Sequence, residues 1–205
     1  MSSNMGGLGM VLHENDPAVI EACRQGDHDA FALLFEANRD KVYSIALRFS
    51  GNEASAMDIA QEAFIKLLAH IKDFRSEARF DTWLYRLVVN TCLDHRRRRR
   101  NLLPILEDLV DSVRPSTETV LTDLLRDEAQ GQVQEAVARL SPEHRMVVVL
   151  RYTEGLSYEE IAEILRCSRG TVASRLNRAH KILARRLVKF RNSGSQNSGG
   201  NRGRV

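Results

Sequence analysis

The stretch SYEEIAEILRCSRGTVASRLNRAHKIL, residues Ser157 to Leu183, holds two short apolar periods separated by a three-residue break. Ser157 caps a first helix, and Glu160, three positions on, completes a capping box; Ile161, Ile164 and Leu165 give that helix one buried side. Arg166, Cys167 and Ser168 form the turn. In the second helix Val172, Leu176, Ala179 and Leu183 recur at steps of four, three and four, a single stripe that packs inward. The other side, headed by Ser168, carries Arg169, Thr171, Ser174, Arg175, Arg178 and Lys181. A short, capped helix whose outward residues are cations and small hydroxyls suits the DNA major groove, so the stretch reads as a helix-turn-helix.

Working outward, the charge of the chain supports that reading. The 205 residues are 43 % hydrophobic and carry a net charge of +3. That charge is unevenly spread: residues 1–100 are neutral, 101–130 sum to −5 and 131–191 to +6, the positive excess lying after Ser157. A phosphate backbone is the natural partner of such a segment. The N-terminal MSSNMGGLGMVL lacks the cationic start and cleavage site of a secretory signal, and no stretch reaches eighteen uncharged apolar residues. The expectation is a cytoplasmic protein without membrane insertion. Cys23, Cys92 and Cys167 are widely spaced, with no CxxC pair and no histidine at ligand spacing, which favours structural thiols over a metal site. Neither a metal nor a cofactor is expected. No P-loop, HExxH or nucleophile elbow points to an enzyme.

Upstream, the pattern is helical throughout. Asp16-Pro17 is a cap with proline at the first helical position, and the helix runs through Val19, Ile20 and Cys23 to Gly26. A second helix starts near Asp27 or Asp29, buries Phe31, Leu34, Phe35, Val42, Ile45, Ala46 and Phe49, and stops at Gly51. In NEASAMDIAQEAFIKLLAHIKDF the inward side is Met57, Ala60, Phe64, Leu67, Leu68 and Ile71, leaving Asp58, Gln61, Glu62 and Lys66 outside. The non-periodic KDFRSEARF sets Phe74, Arg75 and Phe80 in a loop, where aromatics among arginines can hold unpaired bases or simply plug their own domain. Asp81 caps TWLYRLVVNTCLDHRRRRR, with Trp83, Leu84, Leu87, Val88 and Thr91 inward and Arg96 to Arg100 in the last turn. Five consecutive arginines exceed what a helix dipole needs and point to nucleic acid.

Residues 101–115 turn acidic and read as a linker, although from Pro104 a short helix can place Ile105, Leu106, Leu109, Val110 and Val113 on one side. A helix over about 116–140 follows; Ser141-Pro142 then opens RMVVVLRY, which ends at Gly155. The expected fold is all-α: two small helical domains joined by a linker, the C-terminal one a helix-turn-helix domain. The boundaries are a flexible 1–13, a first domain over 14–100, the linker 101–115, a second domain over 116–190 and a flexible tail over 191–205.

Three stretches in this order, DIAQEAFIKLL, FDTWLYRLVVNTCLDHRRR and LSPEHRMVVVLRYTEGLSYEEIAEILRCSRGTVASRLNRAHKIL, resemble an extracytoplasmic-function sigma factor, the smallest type of bacterial RNA polymerase specificity subunit. The resemblance implies a first domain (sigma region 2) that opens the -10 promoter element and a second (region 4) that reads the -35 element. It implies core RNA polymerase and promoter DNA as partners, an anti-sigma factor as regulator and a role in a stress or envelope response. On the matching positions, Asp58, Gln61, Glu62, Phe64 and Lys66 would bind core polymerase. Phe74, Arg75 and Phe80 would capture a flipped base, and Asn90, Asp94, Arg97 and Arg98 would lie along the -10 DNA. His180 stands where the family commonly has arginine. A dimeric helix-turn-helix repressor or activator is the alternative, but it leaves the arginine run and the WLYRLVVN helix without a task.

Overall fold

A computed structural model describes residues 15–75, 79–107 and 126–196. Its regular elements are helices α1 (Pro17–Arg24), α2 (His28–Ser50), α3 (Glu53–His70), α4 (Phe80–Glu107), α5 (Arg126–Ala138), α6 (Pro142–Tyr152), α7 (Tyr158–Ile164) and α8 (Arg169–Gln196), with a 3-10 turn at Ile71–Asp73. The fold is all-α, as the periodicity implies.

Local signals set most helix starts. The Asp16 carboxylate accepts from the Ala18 N–H, and Asp27 accepts from Asp29 and Ala30. Asn52 receives Ser55 N–H, and Ser141 receives His144 N–H. At α7 the capping box is complete, with Glu160 N–H donating to Ser157 Oγ at 3.2 Å and Ser157 N–H to Glu160 Oε2 at 2.8 Å. Such caps are worth about 0.5–2 kcal/mol each. Gly51 ends α2 in the left-handed region, at φ 81°, a backbone conformation that strains any residue with a side chain.

The first half packs α2, α3 and α4 around Leu34, Ile45, Phe49, Ile59, Leu67 and Cys92, all nearly inaccessible to solvent. The second packs α6, α7 and α8 around Met146, Leu150, Ile161, Val172, Leu176 and Ala179. The two halves are docked on one another. Arg145 of α6 is the most telling contact: only 1 % exposed, it donates to the carbonyls of Val137, Leu140 and, across the boundary, Phe49, whose ring lies 5.7 Å from the guanidinium carbon. Tyr85 of α4 donates its hydroxyl to Glu154 at 3.0 Å, and Arg86 reaches Glu163 of α7.

Several expectations need correction. Met57 and Leu68 are 64 % and 49 % exposed, and the buried arc of α3 runs instead through Ala56, Ile59, Ala63, Phe64 and Leu67. The arginine run is not a helix end: α4 continues through Pro104 to Glu107, so a dipole role for Arg96 to Arg100 fails. Pro104 therefore lies inside α4 and starts no helix. Asp81 is the second residue of α4, not its cap. The expected flexible tail begins too early, because α8 runs to Gln196. Leu109, Val110, Val113 and the expected helical start at 116–125 lie outside the described residues.

Candidate nucleic-acid interface

The helix-turn-helix is built as its spacing predicts. The break is tight because Arg166 adopts a left-handed backbone, at φ 50°, and Cys167 N–H returns to the Ala162 carbonyl. Ser168 then caps α8, receiving Thr171 N–H at 3.1 Å and meeting the Thr171 hydroxyl at 2.9 Å. With Val172, Leu176 and Ala179 buried, Ser168, Arg169, Ser174, Arg178 and Lys181 are exposed, and Thr171 and Arg175 are half-exposed. Ser174 donates back to the Thr171 carbonyl, and Arg169 pairs with Glu159 of α7 at 3.0 Å. The side chains of α8's first three turns thus form one cationic, hydroxyl-rich face. His180 lies beside it, its ring tilted against Tyr152 at 5.7 Å between centres, with the Tyr152 hydroxyl 2.8 Å from Nε2; this neighbour ties the imidazole to the domain.

On α4, Asn90 is exposed and Asp94 half-exposed, followed by the exposed Arg96 to Arg100. Residues 90–100 cover about three turns of α4, and the five arginines are spread around its exposed surface. Phe74 and Phe80 do not stand ready to stack on a base: they are 5 % and 6 % exposed, 5.6 Å apart edge to face, and each packs on Trp83. They anchor the two ends of the loop, leaving Arg75 and Arg79 exposed at its rims. Asp81 holds the start of α4 through Asn15, Lys41 and Arg79, and Asn15 is itself bonded to the buried Asn38.

The residues expected on the outward side of α3 divide. Asp58 and Gln61 are exposed. Glu62 and Lys66 turn toward α4: Glu62 pairs with Arg98 and, at 2.9 Å, with Lys66, which also reaches Thr91 and Asp94. Burial pushes the Glu62 carboxyl up, but hydrogen bonds from Arg98 and Lys66 outweigh it and hold the group below its usual range. Phe64 is 9 % exposed and packs on Phe35 at 4.5 Å between ring centres. It floors an apolar groove of about 590 Å³ between α2 and α3, walled by Phe31, Tyr43, Met57, Ile65 and Leu68.

Arg86, Arg145 and this groove escape a reading of sequence. An arginine inside an apolar run, as in WLYRLVVN or HRMVVV, is the only hint that a charged side chain is turned onto protein. For the groove the hint is a surplus: α3 has apolar residues on more than one arc.

Comparison with known proteins follows this geometry. Residues 34–102 match sigma-70 region 2, and residues 130–183 match sigma-70 region 4. The RNA polymerase sigma-H factor of Pseudomonas aeruginosa is 35 % identical over 186 residues, covering 87 % of this chain and 96 % of the relative. The extracytoplasmic-function sigma factor SigW of Bacillus subtilis is 33 % identical over 181 residues, covering 82 % and 94 %. Among solved structures, the sigma factor RpoE of Bartonella quintana, in complex with the anti-sigma factor NepR, superposes with a TM-score of 0.60 at 24 % identity, covering 77 % of this chain and 96 % of that one.

Proposed function

The chain belongs to the extracytoplasmic-function sigma factors, transcription initiation factors that bind core RNA polymerase and direct it to promoters, and from that premise we propose how its faces share the work. The -35 element is read by α8 through Ser168, Arg169, Thr171, Ser174, Arg175, Arg178 and Lys181. Arginine forks suit guanine edges, and the hydroxyls suit bases or phosphates. The -10 element lies along α4, with Asn90 and Asp94 at base level and Arg97 and Arg98 on phosphates. Arg75 holds the melted strand at the loop, while Phe74 and Phe80 act as the loop's anchors.

Core polymerase docks on the α2–α3 groove. The observation that carries this assignment is the cluster of Met57, Ile65 and Leu68, 64 %, 60 % and 49 % exposed around one groove that Arg39, Asp40 and Gln61 also line. Contiguous exposed apolar surface of this kind marks a protein partner. Glu62 and Lys66 serve that face indirectly, by fixing α3 to α4. The bundle works by binding and not by catalysis, in the cytoplasm where polymerase acts, and an anti-sigma factor restrains it, as NepR is bound to the Bartonella protein. The test is co-purification of full-length variants with core polymerase. Leu68→Asp and Asp58→Lys lose polymerase while keeping α-helical content and promoter-strand binding; retention of polymerase by both would place the docking face elsewhere.

A further inference from the structure

Lys66 of α3 reaches across to α4. Its Nζ lies 2.9 Å from Glu62 Oε1, 3.4 Å from Thr91 Oγ1 and 3.9 Å from Asp94 Oδ2. Glu62, one turn earlier on α3, is gripped in turn by Arg98. Thr91 is buried and donates its own hydroxyl to the Leu87 carbonyl at 2.9 Å. Thr91, Asp94 and Arg98 follow one another at steps of three and four, so they form one edge of α4, and α3 lies along that edge. A lysine has much rotamer freedom to lose, and three acceptors around one ammonium remove it.

Asp94 is the unusual member of this edge. It is half-exposed on the helix face given to the -10 strand, where phosphates repel a carboxylate. Two cations offset that repulsion: Lys66 stands at Oδ2, and Arg97, one turn on, lies 3.6 Å from Oδ1. Both separations exceed hydrogen-bond length, and among the described residues nothing donates a hydrogen bond to this carboxylate. Its oxygens are held by charge, one cation to each, with lone pairs left for a donor from outside. Such an acceptor takes the exocyclic amino group of adenine, cytosine or guanine; thymine has none. Of the two cations Lys66 is the anchored one, its side chain 34 % exposed against 70 % for Arg97 and tied to Glu62 and Thr91 as well.

We propose that Lys66 is a positioning residue for base selection: it sets the Asp94 carboxylate so that one position of the melted -10 strand excludes thymine. Lys66 itself meets no base and acts through Asp94. The inference rests on α4 facing the promoter.

The experiment uses the full chain with core polymerase, transcribing a template pool randomised through the -10 element, each template carrying a transcribed barcode. The templates compete in one reaction, so a change in affinity for polymerase divides out of the base ratios. The parent protein depletes thymine at one position. Lys66→Met and Lys66→Gln, which lose the charge, lower that depletion about threefold or more, and Lys66→Arg, which keeps it, retains most of the depletion. In the Asp94→Ala chain the depletion is already lost, and Lys66→Met changes nothing further. If Asp94→Ala alters the ratios while both neutral Lys66 variants leave them as in the parent, Lys66 is only a brace between α3 and α4 and the proposal is overturned. A Lys66→Met effect that persists in the Asp94→Ala chain overturns it as well, since the action would not pass through Asp94. If Asp94→Ala itself leaves every position unchanged, Asp94 does not stand at base level, and that part of the -10 assignment falls together with the proposal.

Discussion

Replacing Arg145 by methionine removes a guanidinium that no carboxylate among the described residues pairs with. Burial, with the Arg96 charge adding, draws the group down to about 10, so its partners are the three carbonyls of Val137, Leu140 and Phe49. Methionine keeps most of the volume and none of the donors. The Val137 carbonyl retains the Leu140 N–H, at 3.0 Å, so the loss falls on Leu140 and Phe49. A buried acceptor left without a partner costs about 1–3 kcal/mol, and relief from burying a charge returns part of it, so the expected net destabilisation is about 2–4 kcal/mol. Only the Phe49 share crosses between the halves. Urea unfolding resolves the two shares, because Trp83, the single tryptophan, reports the first half while circular dichroism reports both. The dichroism midpoint should fall well below the fluorescence midpoint in Arg145→Met, with Arg145→Lys between. If both midpoints stay within about 0.5 kcal/mol of the parent, as for a surface substitution, Arg145 is not the buried pin described here.

Other outcomes follow from the same contacts. Arg175→Ala or Arg178→Ala should cost promoter binding about 1–3 kcal/mol, with relaxed preference at one position if the residue reads a base and a uniform loss if it holds a phosphate; competition binding over a variant promoter set distinguishes them. Phe80→Ala should lower stability by about 3–5 kcal/mol, since its ring is core, whereas Arg75→Ala should leave stability alone and reduce permanganate reactivity of the melted strand. Glu154 is raised by burial against Tyr85, the hydrogen bond from that hydroxyl opposing. Its share of docking is therefore fully present below the ordinary 4.5 and lost as pH rises through the raised value. Energy transfer between labels on the two halves should increase as pH falls from neutrality toward 4.5, and a decrease would refute the assignment.

How far the sequence could be read depended on whether a feature was local. The capping box of Ser157 and Glu160, the Asp16-Pro17 start and the stripe from Val172 to Leu183 are set by residues within a few positions of each other, and the structure has them. The exposed cationic face of α8 follows directly from that stripe. Patterning failed where a helix offers more apolar surface than its own core uses: on α3, Met57 and Leu68 belong to an exposed arc, and only the packing of α2 shows which arc is inside. For Phe74 and Phe80 it left base capture and core packing both open, because their contacts with Trp83 of α4 have no local signature. The roles of Arg86 and Arg145 are set by oxygens of residues 77 and 96 positions away, Glu163 and Phe49, and carbonyl acceptors have no signature in a sequence.

Run-off transcription with purified core polymerase on a genomic promoter library, with and without this protein, tests the central assignment most directly. The account predicts transcripts from discrete start sites that share two spaced elements, present only with the protein. It further predicts that Arg175→Ala, Arg178→Ala removes these starts while polymerase still co-purifies. Start sites identical with and without the protein, or unchanged by that double substitution, would contradict it.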